Sequence, residues 1–257
     1  MQVDRLHARR AFDAYTAAYD CADPKIRLKI DHTYRVADLC DRIACSMTGE
    51  SDDVDLAWLC GLLHDIGRFE QVRRYGAFKD AESVSHAALG ARILFGAQGI
   101  IRRFAMDGGQ DALIRAAVAR HSDYRLPADM DERTRWFCDV VRDADKIDIV
   151  KVNCIEPVQA IYDVSEEELA ASPVSPQALA GFAERRTLSR GERTYPADYV
   201  VGHICFAFEL AYPESRRIMQ RQGYLDRMLA RPFSNERTAA AFARMRAEMD
   251  AWLAGRD

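Results

Sequence analysis

Apolar residues recur with the 3.6-residue spacing of an α-helix along nearly all of the 257 residues of this chain. Runs in which apolar and polar residues alternate, as they do in a half-buried strand, are absent or very short. Helix-start signals agree with this pattern, because Asp23 precedes Pro24 and Ser165 precedes Glu166–Glu168 in a capping-box order. The sequence therefore predicts an all-α protein.

The periodic segments also suggest how the helices are distributed. The main helices are expected over residues 24–48, 51–67, 83–95, 110–121 and 131–152, with shorter ones between 165 and 254. Residues 185–196 are the expected exposed loop. We predict a helical bundle over residues 1–154 and a C-terminal helical extension over residues 155–257 that packs on it.

Composition excludes several classes of protein. A net charge of −4 offers no basic surface for a nucleic-acid polymer, and no apolar run is long enough to span a bilayer. The first twenty residues lack the apolar core of a signal peptide. The seven cysteines form no CxxC pair, which is typical of reduced, buried thiols. We therefore expect a cytoplasmic protein without a membrane or nucleic-acid partner, and a homodimer is left open.

Polar residues interrupt the apolar stripes of the predicted helices. The pair His64-Asp65 directly follows the apolar run at residues 56–63, and a buried carboxylate is costly unless it is compensated. Three more histidines and a second aspartate fall on other core-facing stripes. The whole inward-facing set is His32, His64, Asp65, His86, His121 and Asp145.

This set predicts a metal centre. A lone core histidine is usually satisfied by a carbonyl, and we interpret His203 in that way, while His7 lies in a charged helix. Four imidazoles and two carboxylates, however, cannot neutralise one another cheaply in a dry core. Divalent cations can do so, and imidazole together with carboxylate suits transition metals.

The order of these residues resembles a known signature. His32, His64-Asp65 and Asp145, within DHTYRVADLC, GLLHDIGRF and VRDADKIDI, look like the H…HD…D pattern of the HD-domain superfamily of metal-dependent phosphohydrolases, over about residues 28–152. The resemblance implies a helical HD fold in which His32, His64, Asp65 and Asp145 bind one ion.

The positions of two further histidines resemble the ligand pattern of the two-metal subset of the superfamily. By that resemblance His86 and His121 would hold a second ion, Asp65 would bridge the two ions, and a water or hydroxide between them would be the nucleophile. The implied cofactors are two divalent transition-metal ions (Fe, Mn, Ni, Co or Zn), with Mg²⁺ also compatible.

Departures from other HD families narrow the expected function. The chain lacks the Gly-Tyr-Pro of cyclic-dinucleotide phosphodiesterases, the Glu-Asp pair of alarmone hydrolases and the proline- and histidine-rich segment of deoxynucleoside triphosphohydrolases. We expect hydrolysis of a small phosphomonoester or phosphoanhydride of a nucleotide. The alternatives are an HD-type di-iron oxygenase acting on a polyol or phosphonate, and a non-catalytic, metal-stabilised ligand sensor.

Phosphate chemistry needs cations near the metals. Arg68 lies about one helical turn after His64, and Lys146 directly follows Asp145, so both are predicted to act in catalysis together with Asp65. Arg35 and Lys79 are predicted as substrate contacts, although the alternative for each of these cations is a solvated surface position.

Overall fold

The computed structural model describes residues 3–76, 78 and 80–255. No strand occurs among these residues, and their regular secondary structure is helical. The predicted all-α class is therefore confirmed. Within the same ranges, no helix is both long enough and apolar enough to cross a membrane.

The chain forms two compact units, Met1–Asp145 and Lys146–Asp257. The division lies inside a long helix, whereas the boundary drawn from the sequence lies at residue 154. The first unit contains α1 (Arg5–Thr16), α2 (Pro24–Cys45), α3 (Ser51–Leu63), α4 (Ile66–Tyr75), α5 (His86–Phe95), α6 (Asp111–Arg120) and the start of α7 (Glu132–Ile155). Short 3₁₀ turns lie at Asp80–Glu82 and Ile101–Arg103.

In the described residues of the second unit, the end of α7 is followed by seven shorter α-helices and two 3₁₀ helices, Arg190–Glu192 and Cys205–Glu209. The α-helices are α8 (Val158–Tyr162), α9 (Glu166–Ala171), α10 (Pro176–Ala183), α11 (Pro196–Ile204), α12 (Pro213–Gln222), α13 (Tyr224–Leu229) and α14 (Glu236–Ala254). The Nδ1 atom of His203 lies 3.1 Å from the hydroxyl of Tyr162 and 3.2 Å from the side-chain oxygen of Asn153. This network satisfies His203 within the unit, as expected of a structural histidine.

The predicted helix starts are present. Asp23 accepts a hydrogen bond from the Lys25 amide and Pro24 is the first residue of α2. Ser165 and Glu168 make both bonds of the capping box at the start of α9. These side chains satisfy amides that the first helical turn leaves without a partner.

One predicted helix is wrong in a way that matters for the site. The sequence predicted a single helix from Ser51 to about Gly67, but α3 ends at Leu63 and α4 begins at Ile66. Asp65, with φ −102° and ψ 14°, lies outside the α-helical region. Helical periodicity missed this break because residues 56–63 of α3 are apolar on every face, so no stripe marks the end of the helix.

A glycine sets the distance between α2 and α3. A Cβ atom on Gly61 would lie 2.9 Å from the Cα atom of Ala37 and 2.8 Å from Sγ of Cys40. Without a side chain at this position the two helices approach closely, which brings His32 on α2 towards His64 at the end of α3.

Candidate metal centre

The dipeptide His64-Asp65 occupies the break between α3 and α4. His64 caps the C-terminus of α3, and Asp65 takes the N-cap position of α4 without capping it. The side chain of Asp65 is therefore not used by the backbone of its own helix. Both residues are buried, with relative exposures of 0% and 2%.

Four further donors reach this break from other helices. His32 lies in the middle of α2, His86 is the first residue of α5, His121 caps α6, and Asp145 lies in α7. All four imidazoles of the set are buried. The structure thus brings together all six residues that the sequence proposed as metal ligands, in three overlapping groups of donor atoms.

The two oxygens of Asp65 face different histidines. Oδ2 lies 3.6 Å from Nε2 of His32 and 3.6 Å from Nε2 of His64. Oδ1 lies 3.4 Å from Nε2 of His86 and 3.6 Å from Nε2 of His121. Asp145 adds an oxygen 3.2 Å from Nε2 of His32 and 3.8 Å from that of His64. Asp65 thus belongs to two of the three donor groups, one with His32 and His64 and one with His86 and His121.

Hydrogen bonds on the outer side fix which ring nitrogen faces inwards. Nδ1 of His64 lies 2.7 Å from the carbonyl of Gly61, and Nδ1 of His121 lies 2.8 Å from that of Val118. Nδ1 of His86 lies 2.7 Å from Oδ2 of Asp80. Since these oxygens only accept, each Nδ1 carries the proton and each Nε2 presents a lone pair to the centre.

No proton lies between the Nε2 lone pairs that face the centre. Nε2 of His86 and Nε2 of His121 are 2.9 Å apart, although each ring already holds its proton on Nδ1. Burial lowers the pKa of His64 to about 4 and that of His86 to about 3, so additional protons are disfavoured near neutrality. Oδ1 of Asp65 is buried without a hydrogen-bond partner. A donor set of this kind fits a divalent metal and is costly without one.

Lys29 compensates the charge of Asp65, a role that was not predicted from the sequence. Its ammonium lies 2.7 Å from Oδ2 of Asp65, and only 14% of the lysine side chain is exposed. Burial alone would raise the pKa of Asp65, but the Lys29 ammonium, together with the Arg68 guanidinium, holds it well below its ordinary value. The available signal was the spacing, since Lys29 lies one helical turn before His32.

The predicted cations have different surroundings. Nη1 of Arg68 donates to Oε1 of Gln71 at 2.7 Å and to Oδ1 of Asp80 at 2.9 Å. Lys146 begins the second unit, where its ammonium lies 3.5 Å from the carboxylate of Glu209. Arg35 is half-buried on α2, one turn after His32. Lys79 lies outside the described residues, and the roles of all four cations stay predictions.

A buried arginine supports His121 and was also missed. Arg142, only 8% exposed, directs Nη1 at the backbone carbonyls of Arg120, His121 and Asp123. These carbonyls lie at the C-terminal end of α6, where a positive charge is favoured. The contacts fix the end of α6 and, with it, the position of His121.

Fold and donor set together define a helical protein with a buried His/Asp centre for divalent metal. Residues 30–152 match the family model described as HD domain, a range that includes all six donors. Residues 30–152 therefore form an HD domain, and the HD-domain superfamily consists mostly of metal-dependent phosphohydrolases. Comparisons with curated proteins and with solved structures gave no significant match.

Proposed function

We propose that this protein is a metal-dependent phosphohydrolase with two divalent ions, which hydrolyses a phosphomonoester or phosphoanhydride of a nucleotide. The observation that supports the two-ion centre best is the arrangement around Asp65. Each carboxylate oxygen faces its own pair of imidazole Nε2 atoms, at 3.4 to 3.6 Å. When bound, two such ions would lower the pKa of a water molecule and neutralise charge on phosphate oxygens.

The two halves of the proposed centre differ in their number of protein donors. His32, His64, Asp65 and Asp145 supply four donors to the first half. His86, His121 and the other oxygen of Asp65 supply three to the second. The second half therefore has more room for water or for a substrate oxygen, as expected of a catalytic site.

Local charge supports an anionic substrate. The ammonium of Lys29 and Nε of Arg68 lie 2.7 Å and 3.6 Å from different oxygens of Asp65. Since Asp80 and Asp145 add two further carboxylates, the centre becomes net positive when divalent ions bind beside these two cations. That charge suits the non-bridging oxygens of a phosphate ester, whose negative charge must be stabilised during transfer.

The test combines metal analysis with a substrate screen. Protein purified without a metal-affinity step is analysed for transition metals, and the metal-free form is assayed with Mn²⁺, Co²⁺, Ni²⁺, Zn²⁺ and Mg²⁺ against a panel of nucleotides and phosphate esters. We expect two ions per chain and oxygen-independent phosphate release. His121→Ala should abolish release, while His7→Gln, which changes an exposed histidine on α1, should not.

Other outcomes would replace the proposal. Two irons, consumption of dioxygen with a polyol or phosphonate, and no phosphate release would establish the di-iron oxygenase alternative. Metal binding with neither activity, but with ligand-dependent stabilisation, would establish the sensor.

A further inference from the structure

The segment that precedes α5 is held against α4 by a buried polar cluster. Gln71, which has no exposed surface, directs its amide nitrogen at the Asp80 carboxylate, the Ser83 hydroxyl and the Val84 carbonyl, each at 2.9 Å. Arg68 completes the cluster by donating to both Gln71 and Asp80. The cluster therefore fixes the side chain of Asp80 relative to α4.

Asp80 in turn contacts one of the proposed metal ligands. Its two carboxylate oxygens lie 2.7 Å and 2.9 Å from Nδ1 of His86. At these distances the carboxylate accepts the proton on Nδ1 of His86, which leaves the Nε2 lone pair of His86 facing inward.

The position of His86 in its helix explains why a distant carboxylate is needed. His64 and His121 each come at the end of a helix and donate to the carbonyl three residues earlier, those of Gly61 and Val118. His86 is the first residue of α5, so no turn of its own helix precedes it to supply such a carbonyl. Asp80 takes over this orienting function from outside the helix.

Arg68 connects this carboxylate to the centre. Its Nη1 donates to Asp80 at 2.9 Å, and its Nε lies 3.6 Å from Oδ1 of Asp65 and is buried without a hydrogen-bond partner. The guanidinium therefore lies between Asp65, the proposed bridge, and Asp80, the acceptor of His86. It also donates to the backbone carbonyl of Phe78 at 2.6 Å.

We propose that Asp80 and Arg68 are positioning residues of the second ion site: Asp80 orients His86, and Arg68 acts through Asp80 rather than on the substrate. The inference rests on the proposed two-ion centre. It gives Arg68 a different role from the phosphate contact predicted from the sequence. Removing a substrate-contacting arginine would leave metal affinity unchanged. Removing a positioning arginine would weaken binding of the second ion.

Metal titration distinguishes these roles without an activity assay. Mn²⁺ is titrated calorimetrically into metal-free wild type, Asp80→Ala, Asp80→Asn, Arg68→Ala and the double variant, and the spin-coupled signal of a manganese pair is recorded by electron paramagnetic resonance. The control is Asp53→Asn, which breaks the two-bond ion pair with Arg133 away from the centre.

The second ion should bind Asp80→Ala about ten- to a hundredfold more weakly than wild type, with loss of the coupled signal and little change in the first ion. Asp80→Asn has nearly the same shape and retains an oxygen that accepts from Nδ1, so it should recover much of that affinity. Arg68→Ala should show a smaller loss, because Gln71 still holds Asp80. The double variant should match Asp80→Ala, since Arg68 donates a hydrogen bond to Asp80 but only approaches Asp65, at 3.6 Å.

The outcomes separate this inference from the proposed function. If wild type binds two ions and Asp80→Ala binds both as tightly, the inference is overturned while the two-ion proposal stands. Arg68→Ala with intact metal binding and a reduced kcat would also overturn it, in favour of direct substrate contact. A wild type that binds only one ion refutes the two-ion centre and the inference with it.

Discussion

Replacing Gly67 by alanine should disrupt the second ion site while leaving the first. Gly67 follows Asp65 by two residues in α4 and lies against the start of α5. A Cβ atom at this position would be 2.2 Å from the carbonyl oxygen of His86 and 2.6 Å from the amide nitrogen of Gly90. Both obstacles are backbone atoms, so no side-chain rotation can relieve them.

The size of the effect follows from these distances. Ordinary van der Waals contact begins at 3.4 Å, so the His86 carbonyl would have to retreat by about 1.2 Å. Metal–ligand bonds tolerate deviations of only about 0.2 Å. A shift of this size at His86 should therefore abolish tight binding of the second ion. Overpacking should also cost about 1 to 3 kcal/mol, reduced by the better helix propensity of alanine.

The assay compares Gly67→Ala with Gly49→Ala, whose added methyl group would meet no atom within 4 Å. Manganese titration should give two ions for the control and one for Gly67→Ala. Urea unfolding of the metal-free proteins should show the loss of stability only in Gly67→Ala. Wild-type affinity for both ions in Gly67→Ala would refute the argument that this close approach positions His86.

Three further predictions concern Asp65 and its neighbours. Asp65→Ala should lose both ions and all turnover, and retention of a tightly bound ion after gel filtration would contradict its role as a bridge. Lys29→Met should destabilise the metal-free protein by about 3 to 5 kcal/mol, because a buried carboxylate loses its counter-ion. Saturating Mn²⁺ should remove most of that difference in thermal unfolding, whereas an equal loss with metal would show that Lys29 acts by packing. Finally, the metal-free protein should lose stability as the pH falls from about 6.5 to about 4, because His64 takes up a proton in the unfolded chain but stays neutral in the fold down to a pKa of about 4. Equal urea midpoints at pH 7.5 and pH 5 would contradict this sign.

The sequence by itself was sufficient to select the six donors and the all-α class. Helical periodicity places His32 or His121 on an apolar stripe, and a buried imidazole or carboxylate is rare enough to require an explanation. Metal ions bind to only a few residue types, so each candidate ligand could be identified from the sequence separately. The same periodicity could not show the break at His64-Asp65, because residues 56–63 before it are apolar on every face.

Only the tertiary structure determined how the donors are divided and supported. Which oxygen of Asp65 faces which histidines depends on the approach of α2, α5 and α6, and on the absence of a Cβ atom at Gly61 and Gly67. The supporting contacts of Lys29, Asp80 and Arg142 could not be predicted because such contacts are not limited to particular residue types. A carbonyl orients His64 and His121, whereas a carboxylate from another segment orients His86. Such contacts depend on which segments come together in the fold. A local sequence pattern does not indicate which segments these are.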